Sequence, residues 1–434
     1  MTGCCQEVQH RNCLADIDRY GDAFNKEAVK ATGKRYRCFQ MRVAFGVENF
    51  SRILGNSNTP ISSCVRSKGT CAAFSLPRFG QQHSGVLYSK HFLSQSSRCS
   101  ILSRKAFSTG STKYLPAAKM GDTSKPLRYV DIGINFSDPV FRGEYHGKQV
   151  HESDLDDIIQ RAREVGCEKF MVTGSDVEES RRAIEIAQNY PGFCYATVGV
   201  HPCQAKLFDE FSGGPSKMLD ELRSLALESK KSGYAVAFGE IGLDYDRLFL
   251  SAKEPQLKYF EAQLDLAVEI QLPLFLHSRA ASEDFERLLA PRLEKLPKKG
   301  LVHSFTGTME EMKRMVALGL DVGVNGCSLK TEENLEVVKA LPLERLQIET
   351  DGPWCEIRPS HASSKYLEGA PTLPKAVKKE KWQKGCMVKG RNEPIAIAHV
   401  AHVIAMVKGI TVEEVCEAAW NNSVRMFGLG EGTS

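Results

Sequence analysis

From residue 127 onward, short apolar runs rich in β-branched and aromatic residues alternate with longer segments of helical spacing. The runs are LRYVDIGIN, KFMVTG, CYATVGVHP, AVAFGEIGLDY, PLFLHS, GLVHSFTG, DVGVNGCS and LQIETDGP. Between most of them lie helix-patterned stretches such as SDLDDIIQRAREVG, EPQLKYFEAQLDLAVEIQ, SEDFERLLAPRLEKL and TEENLEVVKAL. Strands alternating with helices imply βαβ units and a parallel sheet. About eight such units in roughly 300 residues fit a closed (β/α)8 barrel of the TIM type better than an open doubly wound sheet, which usually has fewer. No Gly-x-Gly-x-x-Gly and no P-loop follows any of the strands, which weakens the nucleotide-fold alternative. The barrel domain is expected over residues 125–430, with a Lys-rich insertion at 355–392 between the last strand and its helix.

The first 124 residues do not share this pattern. Of the 57 Lys and Arg, 18 fall within residues 1–119, and of the 53 Asp and Glu only 6 do, which leaves 39 against 47 for the remainder. The extension is therefore basic and the barrel region acidic, so net charge gives no argument that the barrel binds nucleic acid; any attraction for phosphate must be local. Between Glu48 and Asp122 there is no acidic residue, while Arg, Lys and Ser are frequent. That is the composition of a mitochondrial transit segment, although Glu7, Asp16, Asp18, Asp22 and Glu27 precede it. Initiation at Met41 would place the basic stretch first, and initiation at Met120 would omit it; a basic low-order tail is the other reading. The fourteen cysteines include no Cys-x-x-Cys pair, which points to free thiols in a reducing, intracellular compartment. That compartment is mitochondrial if the extension is a transit segment, and nuclear or cytoplasmic otherwise. No apolar run has the length of a membrane span, so no membrane association is expected, and no heptad or apolar exterior stripe marks an obligate protein partner.

The strand ends carry the chemistry. LQIETDGP ends on Asp351, AFGEIGLDY carries Glu240, LFLHSR carries His277 and LVHSFTG carries His303, each at or near the C-terminal end of its run; VGVHPC adds His201. One aspartate before Gly-Pro reads equally as a turn residue, and one histidine at a strand end as a packed one. In a (β/α)8 barrel, however, these ends share a single face, the face on which active sites are built. Two histidines, a glutamate and an aspartate there form a ligand set for a divalent hydrolytic cation such as Mg²⁺, Mn²⁺ or Zn²⁺, one or two in number.

The insertion adds Lys375, Lys378, Lys379, Lys381, Lys384, Lys389 and Arg391, with Trp382 among them. Cations that track a backbone, beside an aromatic that stacks on a base, are the usual arrangement for single strands. A solvated loop is the alternative.

The motifs GVHP, GEIGLDY, Gln256-x-x-x-Phe260, PLFLHSR, HSFTG, IETDGP and NNSVRMF, in this order over about residues 127–428, resemble the TatD family of metal-dependent deoxyribonucleases. The resemblance implies a metallo-dependent hydrolase barrel with Glu240, His277, His303 and Asp351 as metal ligands. It also implies hydrolysis of DNA phosphodiesters by an exonuclease (3′–5′) or an endonuclease acting on single-stranded regions. Glu240 and Asp351 would be catalytic with His201, which would contact the phosphate or leaving oxygen, and Asp351 would take the proton of water. Asn135, Arg279, Lys378, Lys379, Lys381 and Trp382 are the expected substrate contacts. Most members carry His-x-His on the first strand; here DIGINFSD has Gly133 and Asn135 at those places, as is typical of the eukaryotic branch, and the second metal is what this departure concerns. The alternatives are a barrel that hydrolyses a small amide, ester or lactone, and a catalytically weakened DNA-binding homologue.

Overall fold

The computed structural model describes residues 126–430; the basic extension, with Met41, Met120 and its transit reading, lies outside the described residues. Eight strands follow one another around a single sheet: β1 (Tyr129–Ile134), β2 (Cys167–Val172), β3 (Cys194–Val198), β4 (Ala235–Asp244), β5 (Leu274–Arg279), β6 (Gly300–Val302), β7 (Asp321–Val324) and β8 (Leu346–Ile348). Every neighbouring pair is parallel. The strands are buried almost throughout, the pattern of a sheet covered on both faces. No single helix among the described residues is long and apolar enough to cross a membrane.

The last strand meets the first at the C-terminal ends. The N–H of Asp351 donates to the Gly133 carbonyl at 2.8 Å, and the N–H of Asn135 donates to the Gly352 carbonyl at 2.9 Å. Between them the fully buried Asp131 carboxylate accepts from the Thr350 N–H at 2.9 Å and the Thr350 hydroxyl at 2.5 Å. The barrel expected from the sequence is thus present, and its seam falls beside Asp351.

Helices pack outside, with α1 (Leu155–Glu164), α2 (Val177–Asn189), α3 (Gly214–Lys231), α4 (Lys253–Ile270), α5 (Ser282–Leu293), α6 (Met309–Ala317) and α7 (Glu332–Ala340) between strands. Two more, α8 (Ile397–Lys408) and α9 (Val412–Phe427), follow the insertion. Thr308, Thr331 and Thr411 start α6, α7 and α9 with reciprocal capping boxes, which satisfy N–H groups that a helix start leaves unpaired. Helix α4 shows how the shell positions the mouth. It buries Gln256, Tyr259, Phe260, Gln263, Leu264 and Ala267 at three- and four-residue spacing, one helical face. Gln256 accepts from the Asp244 N–H at 2.8 Å and donates to its carbonyl at 2.9 Å; Gln263 does the same to Val200 at 2.8 and 3.1 Å. One helix face therefore fixes the ends of β3 and β4.

The insertion after β8 holds a short 3-10 helix (Ala362–Leu367) and a two-stranded parallel ladder pairing Ala376–Val377 with Met387–Val388. All seven cysteines of the described residues are free.

Burial, aided by the neighbouring Glu349 and opposed by the Thr350 donors, lifts the Asp131 carboxyl from 3.8 to about 8. Between those values the native state keeps a proton that the unfolded chain has released, so this group's contribution to stability is lost as pH rises through that window. Asp131→Asn is expected to reduce the fall in urea midpoint between pH 5 and pH 8.5; a variant with the wild-type pH slope would show that the titration lies elsewhere.

Candidate metal and catalytic site

Glu240 reaches the barrel mouth because β4 bulges there. Gly239 pairs with Phe275 and Ile241 with Leu276, so Glu240 is an extra residue opposite β5, and a bulge of this kind re-aims one side chain. Gly239 and Gly242 hold φ of 154° and 153°, and a Cβ at Gly242 would overlap the His277 carbonyl. The glycines flanking Glu240 thus let the β4 backbone lie against β5.

The buried Glu240 carboxylate is the hub of the site. Its Oε1 lies 2.9 Å from His277 Nδ1, 2.7 Å from His303 Nε2 and 3.2 Å from His201 Nε2. His277 places its Nε2 3.2 Å from Asp244 Oδ2, and His303 places its Nδ1 3.4 Å from Glu349 Oε2. Each of these two imidazoles therefore spans two carboxylates, one facing the centre and one behind. Burial would raise Glu240, but the charges of His303 and His201 outweigh it and hold the carboxyl well below its ordinary range. Conversely, burial would lower His303, and the carboxylates of Glu240 and Glu349 raise it well above the ordinary imidazole value. Phe275 stacks against His303 with ring centroids 4.7 Å apart.

His201 differs from the other two. It caps the short helix Pro202–Gln204, and its Nδ1 accepts from the Cys203 N–H at 3.0 Å. An acceptor Nδ1 leaves the neutral ring's proton on Nε2, so His201 faces Glu240 as a donor rather than with a lone pair.

Asp351 adopts a left-handed φ of 52°. Its Oδ1 accepts from Asn135 Nδ2 at 3.1 Å and its Oδ2 from the Cys355 thiol at 3.2 Å; the hydrogen bonds of its carboxylate go to these two groups and not to the histidines. Burial raises it to about 6, against the opposing charge of His303.

The donor set suits a divalent cation. Donor atoms of His201, Glu240 and His277 lie within 4.8 Å of one another. Among the described residues, Asp131, Glu240, Glu349 and Asp351 form no ion pair with Lys or Arg, and Asp244 has only Arg247 at 3.8 Å. The buried Asp244 Oδ1 has no hydrogen-bond partner. Buried carboxylates without basic partners are costly unless a cation or proton balances them.

Glu240, His201, His277 and His303, which the sequence assigns to one barrel face, are thus brought together, with Asp351 beside them. Asp244 and Glu349, which back the two spanning imidazoles, are functional residues that the sequence reading leaves out. Both stand inside motifs that it does single out, GEIGLDY and IETDGP, and a carboxylate four residues beyond Glu240 at the end of the same strand is the signal that could have found the first. Asn135 spends its amide on Asp351 Oδ1 and, at 3.0 Å, the Gly352 carbonyl, so it orients Asp351. Arg279 is exposed at the end of β5, pairs with Asp246 at 2.9 Å and lines a cleft of about 720 Å³ with Phe305, Thr308 and Glu311.

The basic insertion divides. Lys375, Lys378, Lys381 and Lys389 are exposed, and Lys379 lies over the Tyr145 ring at 4.6 Å. Arg391 does not join them: it is buried, donating to Asp154 Oδ2 at 2.5 Å and Glu393 Oε1 at 2.9 Å. Trp382 is half-buried with one face stacked on His151 at 4.8 Å. Lys384 pairs with Asp157 at 3.3 Å. These contacts dock the insertion on the loop after β1, at the mouth.

Carboxylates behind metal-ligating histidines set the ring tautomer and orientation, and their loss costs about 10–100-fold in metal affinity. Asp244→Asn is expected to weaken Mn²⁺ binding by that factor in calorimetry, while His201→Ala keeps the wild-type stoichiometry; loss of a bound equivalent in His201→Ala would make that ring a ligand.

A family model described as TatD related DNase matches residues 130–428. The deoxyribonuclease Tat-D of Schizosaccharomyces pombe is 55% identical over 304 residues, covering 70% of this chain and 96% of that protein. The 3′-5′ ssDNA/RNA exonuclease TatD of Erwinia tasmaniensis is 35% identical over 305 residues, covering 69% of this chain and 99% of that protein. The crystal structure of a hydrolase TatD family protein from Entamoeba histolytica superposes with a TM-score of 0.64 at 37% identity, covering 70% of this chain and 99% of that one. Fold, mouth and comparisons agree, and the chain belongs to the TatD family of deoxyribonucleases.

Proposed function

We propose that this protein hydrolyses DNA phosphodiesters with a divalent cation held at the barrel mouth by Glu240, His277 and His303, with Asp351 completing the set. The observation that carries this reading is the Glu240 carboxylate ringed by three imidazoles at the C-terminal ends of separate strands. Bound there, a divalent cation supplies Lewis acidity toward a phosphoryl oxygen and acidifies a water. The imidazoles of His277 and His303 suit Zn²⁺ or Mn²⁺, and the carboxylates also suit Mg²⁺.

The protein's own groups do the rest. Asp351, whose carboxyl burial raises in the absence of metal, stands beside the histidines as the carboxylate that takes a proton from water. The Asn135 amide holds its Oδ1 and the Cys355 thiol its Oδ2, which fixes the carboxylate's direction. His201, with its proton on Nε2, donates toward a phosphate or departing oxygen. The exposed Lys375, Lys378, Lys381 and Lys389 attract the strand's backbone at the same mouth. A preference for single-stranded ends cut 3′ to 5′ is supported by the name of the bacterial relative and by the Trp382 face beside these lysines.

The test uses the full chain stripped of metal, an end-labelled single-stranded DNA, and Mg²⁺, Mn²⁺ or Zn²⁺ added singly. Metal-dependent cleavage is expected, with Asp351→Asn folded but reduced by at least about 10²-fold, the loss typical of a group acting on protons in the transition state. Folded protein that leaves the DNA uncut with each of the three metals would remove the nuclease reading and turn attention to small substrates. Lys378→Ala with Lys381→Ala is expected to raise KM with kcat held, and to lower the slope of log affinity against log salt by about 2, roughly one per lysine; an unaltered slope would place the strand elsewhere.

A further inference from the structure

Among the described residues, the two large apolar side chains most open to solvent are both aromatic: Phe249 at 82% and Trp354 at 60%. Both lie on loops at the barrel mouth. Trp354 comes three residues after Asp351 in the loop that follows β8, and Phe249 comes five after Asp244 in the loop that follows β4. In a closed sheet of eight strands β4 and β8 are opposed, so the two rings stand on opposite sides of Glu240 and its histidines. The turn that presents Trp354 is fixed on both sides. Its N–H donates to the Asp351 carbonyl at 2.9 Å, the Pro353 carbonyl accepts from the Asn392 N–H at 2.9 Å, and a Cβ at Gly326 would overlap the Cys355 carbonyl. On the other loop the Leu250 N–H donates to the Arg247 carbonyl at 2.9 Å, and Gln256 Nε2 donates to the Ser251 carbonyl at 2.9 Å. The remaining two tryptophans are covered: Trp382 stacks on His151, and Trp420 lies under Arg128 at 4.3 Å with 8% exposure.

We propose that Trp354 and Phe249 are base-stacking residues, one on each side of the scissile phosphate, for a single strand of DNA drawn across the mouth. This deepens the nuclease reading above and rests on it. An aromatic face stacks on any unpaired base, because every base has a π-face. Bases inside a duplex already stack on one another and offer none, so these rings select the single strand. Rings carried on fixed turns lose little freedom when they bind. Charge names the occupant. The exposed Lys375, Lys378, Lys381 and Lys389 belong to the insertion that begins just after Trp354, and the half-exposed Arg247 shares the turn of Phe249. Each aromatic face therefore has cations on its own loop, the pairing of stacking platform and backbone attraction that a polynucleotide uses.

The experiment follows tryptophan emission of the full chain, held in chelator so that binding is read without cleavage, while a thymidine oligodeoxynucleotide is added. The wild type is expected to be quenched. Trp354→Phe keeps an aromatic face and is expected to keep the affinity while losing most of the quench. Trp354→Leu and Phe249→Leu, at exposed positions that the fold does not need, are each expected to bind at least about 5-fold more weakly, the lower end of what one stacked base contributes. Phe249→Trp placed in the Trp354→Phe protein is expected to bring back a quenched emission from the opposite loop, and a blunt duplex to quench far less than the single strand. With Mn²⁺ added, the two leucine variants are expected to raise KM for single-stranded DNA by the same factor with kcat held, and this arm decides if binding needs metal. Leucine variants with wild-type affinity and KM overturn the inference; if the wild type still cleaves with metal, the nuclease reading survives. A wild-type dimer in sedimentation velocity that the leucine variants abolish, with DNA affinity unchanged, also overturns it and assigns the rings to a second copy of the chain. A wild type that neither binds nor cleaves the strand overturns both readings.

Discussion

A parallel barrel closes only when its last strand bonds to its first, and in this protein that seam falls on Asp351 and its neighbours at the mouth. Strand β8 is short, so the joining bonds lie past its end, at the mouth. Asp131 holds Thr350 by its hydroxyl and N–H, and the next two residues bond across to Gly133 and Asn135. Asp351 is fixed in a left-handed conformation by this closure, a backbone state that costs a non-glycine residue about 1–3 kcal/mol and persists only where its surroundings impose it. Barrel closure and placement of Asp351 are therefore one set of hydrogen bonds. A change that loosens the seam loosens the Asp351 carboxylate with it.

Charge is the second constraint, and it explains why the mouth needs a cation. Asp131, Glu240, Asp244, Glu349 and Asp351 are gathered with three histidines and, among the described residues, with no Lys or Arg closer than Arg247 at 3.8 Å from Asp244. Backbone N–H groups, Asn135, Thr350 and Gln256 satisfy geometry without supplying positive charge. Without metal, the neighbouring carboxylates outweigh burial and raise both His277 and His303, which favours protons on these rings. A divalent cation can take over that balance, and because the unfolded chain offers no such site, its binding adds to the stability of the folded state.

Much of this is legible in the sequence, because the signals are of the kinds that local physics writes plainly. Short apolar runs alternating with helical spacing announce eight βα units, and a carboxylate or imidazole at several of the strand ends announces the shared face. What escapes is set by three-dimensional neighbours. Asp244 and Glu349 are ordinary acidic residues until His277 and His303 are seen to rest on them. Arg391 reads as one more cation in a lysine-rich loop, and only its contact with Asp154 and Glu393 shows that it anchors the loop rather than serving a ligand. The bulge at Glu240 is also hidden, since a run of ten buried residues gives no sign of which one lies out of register.

The departure at the first strand illustrates why a site is better defined by volume and charge than by position. Gly133 and Asn135 look like two lost donors when the strand is read alone. In the folded barrel the room at Gly133 is filled by the Glu349 carboxylate from the adjoining strand, and Asn135 bonds to Asp351. Both positions therefore act on carboxylates from beyond β8, one by leaving space and the other by a hydrogen bond. The first strand thus shapes the mouth through the carboxylates that it accommodates and orients, by the room at Gly133 and the amide of Asn135.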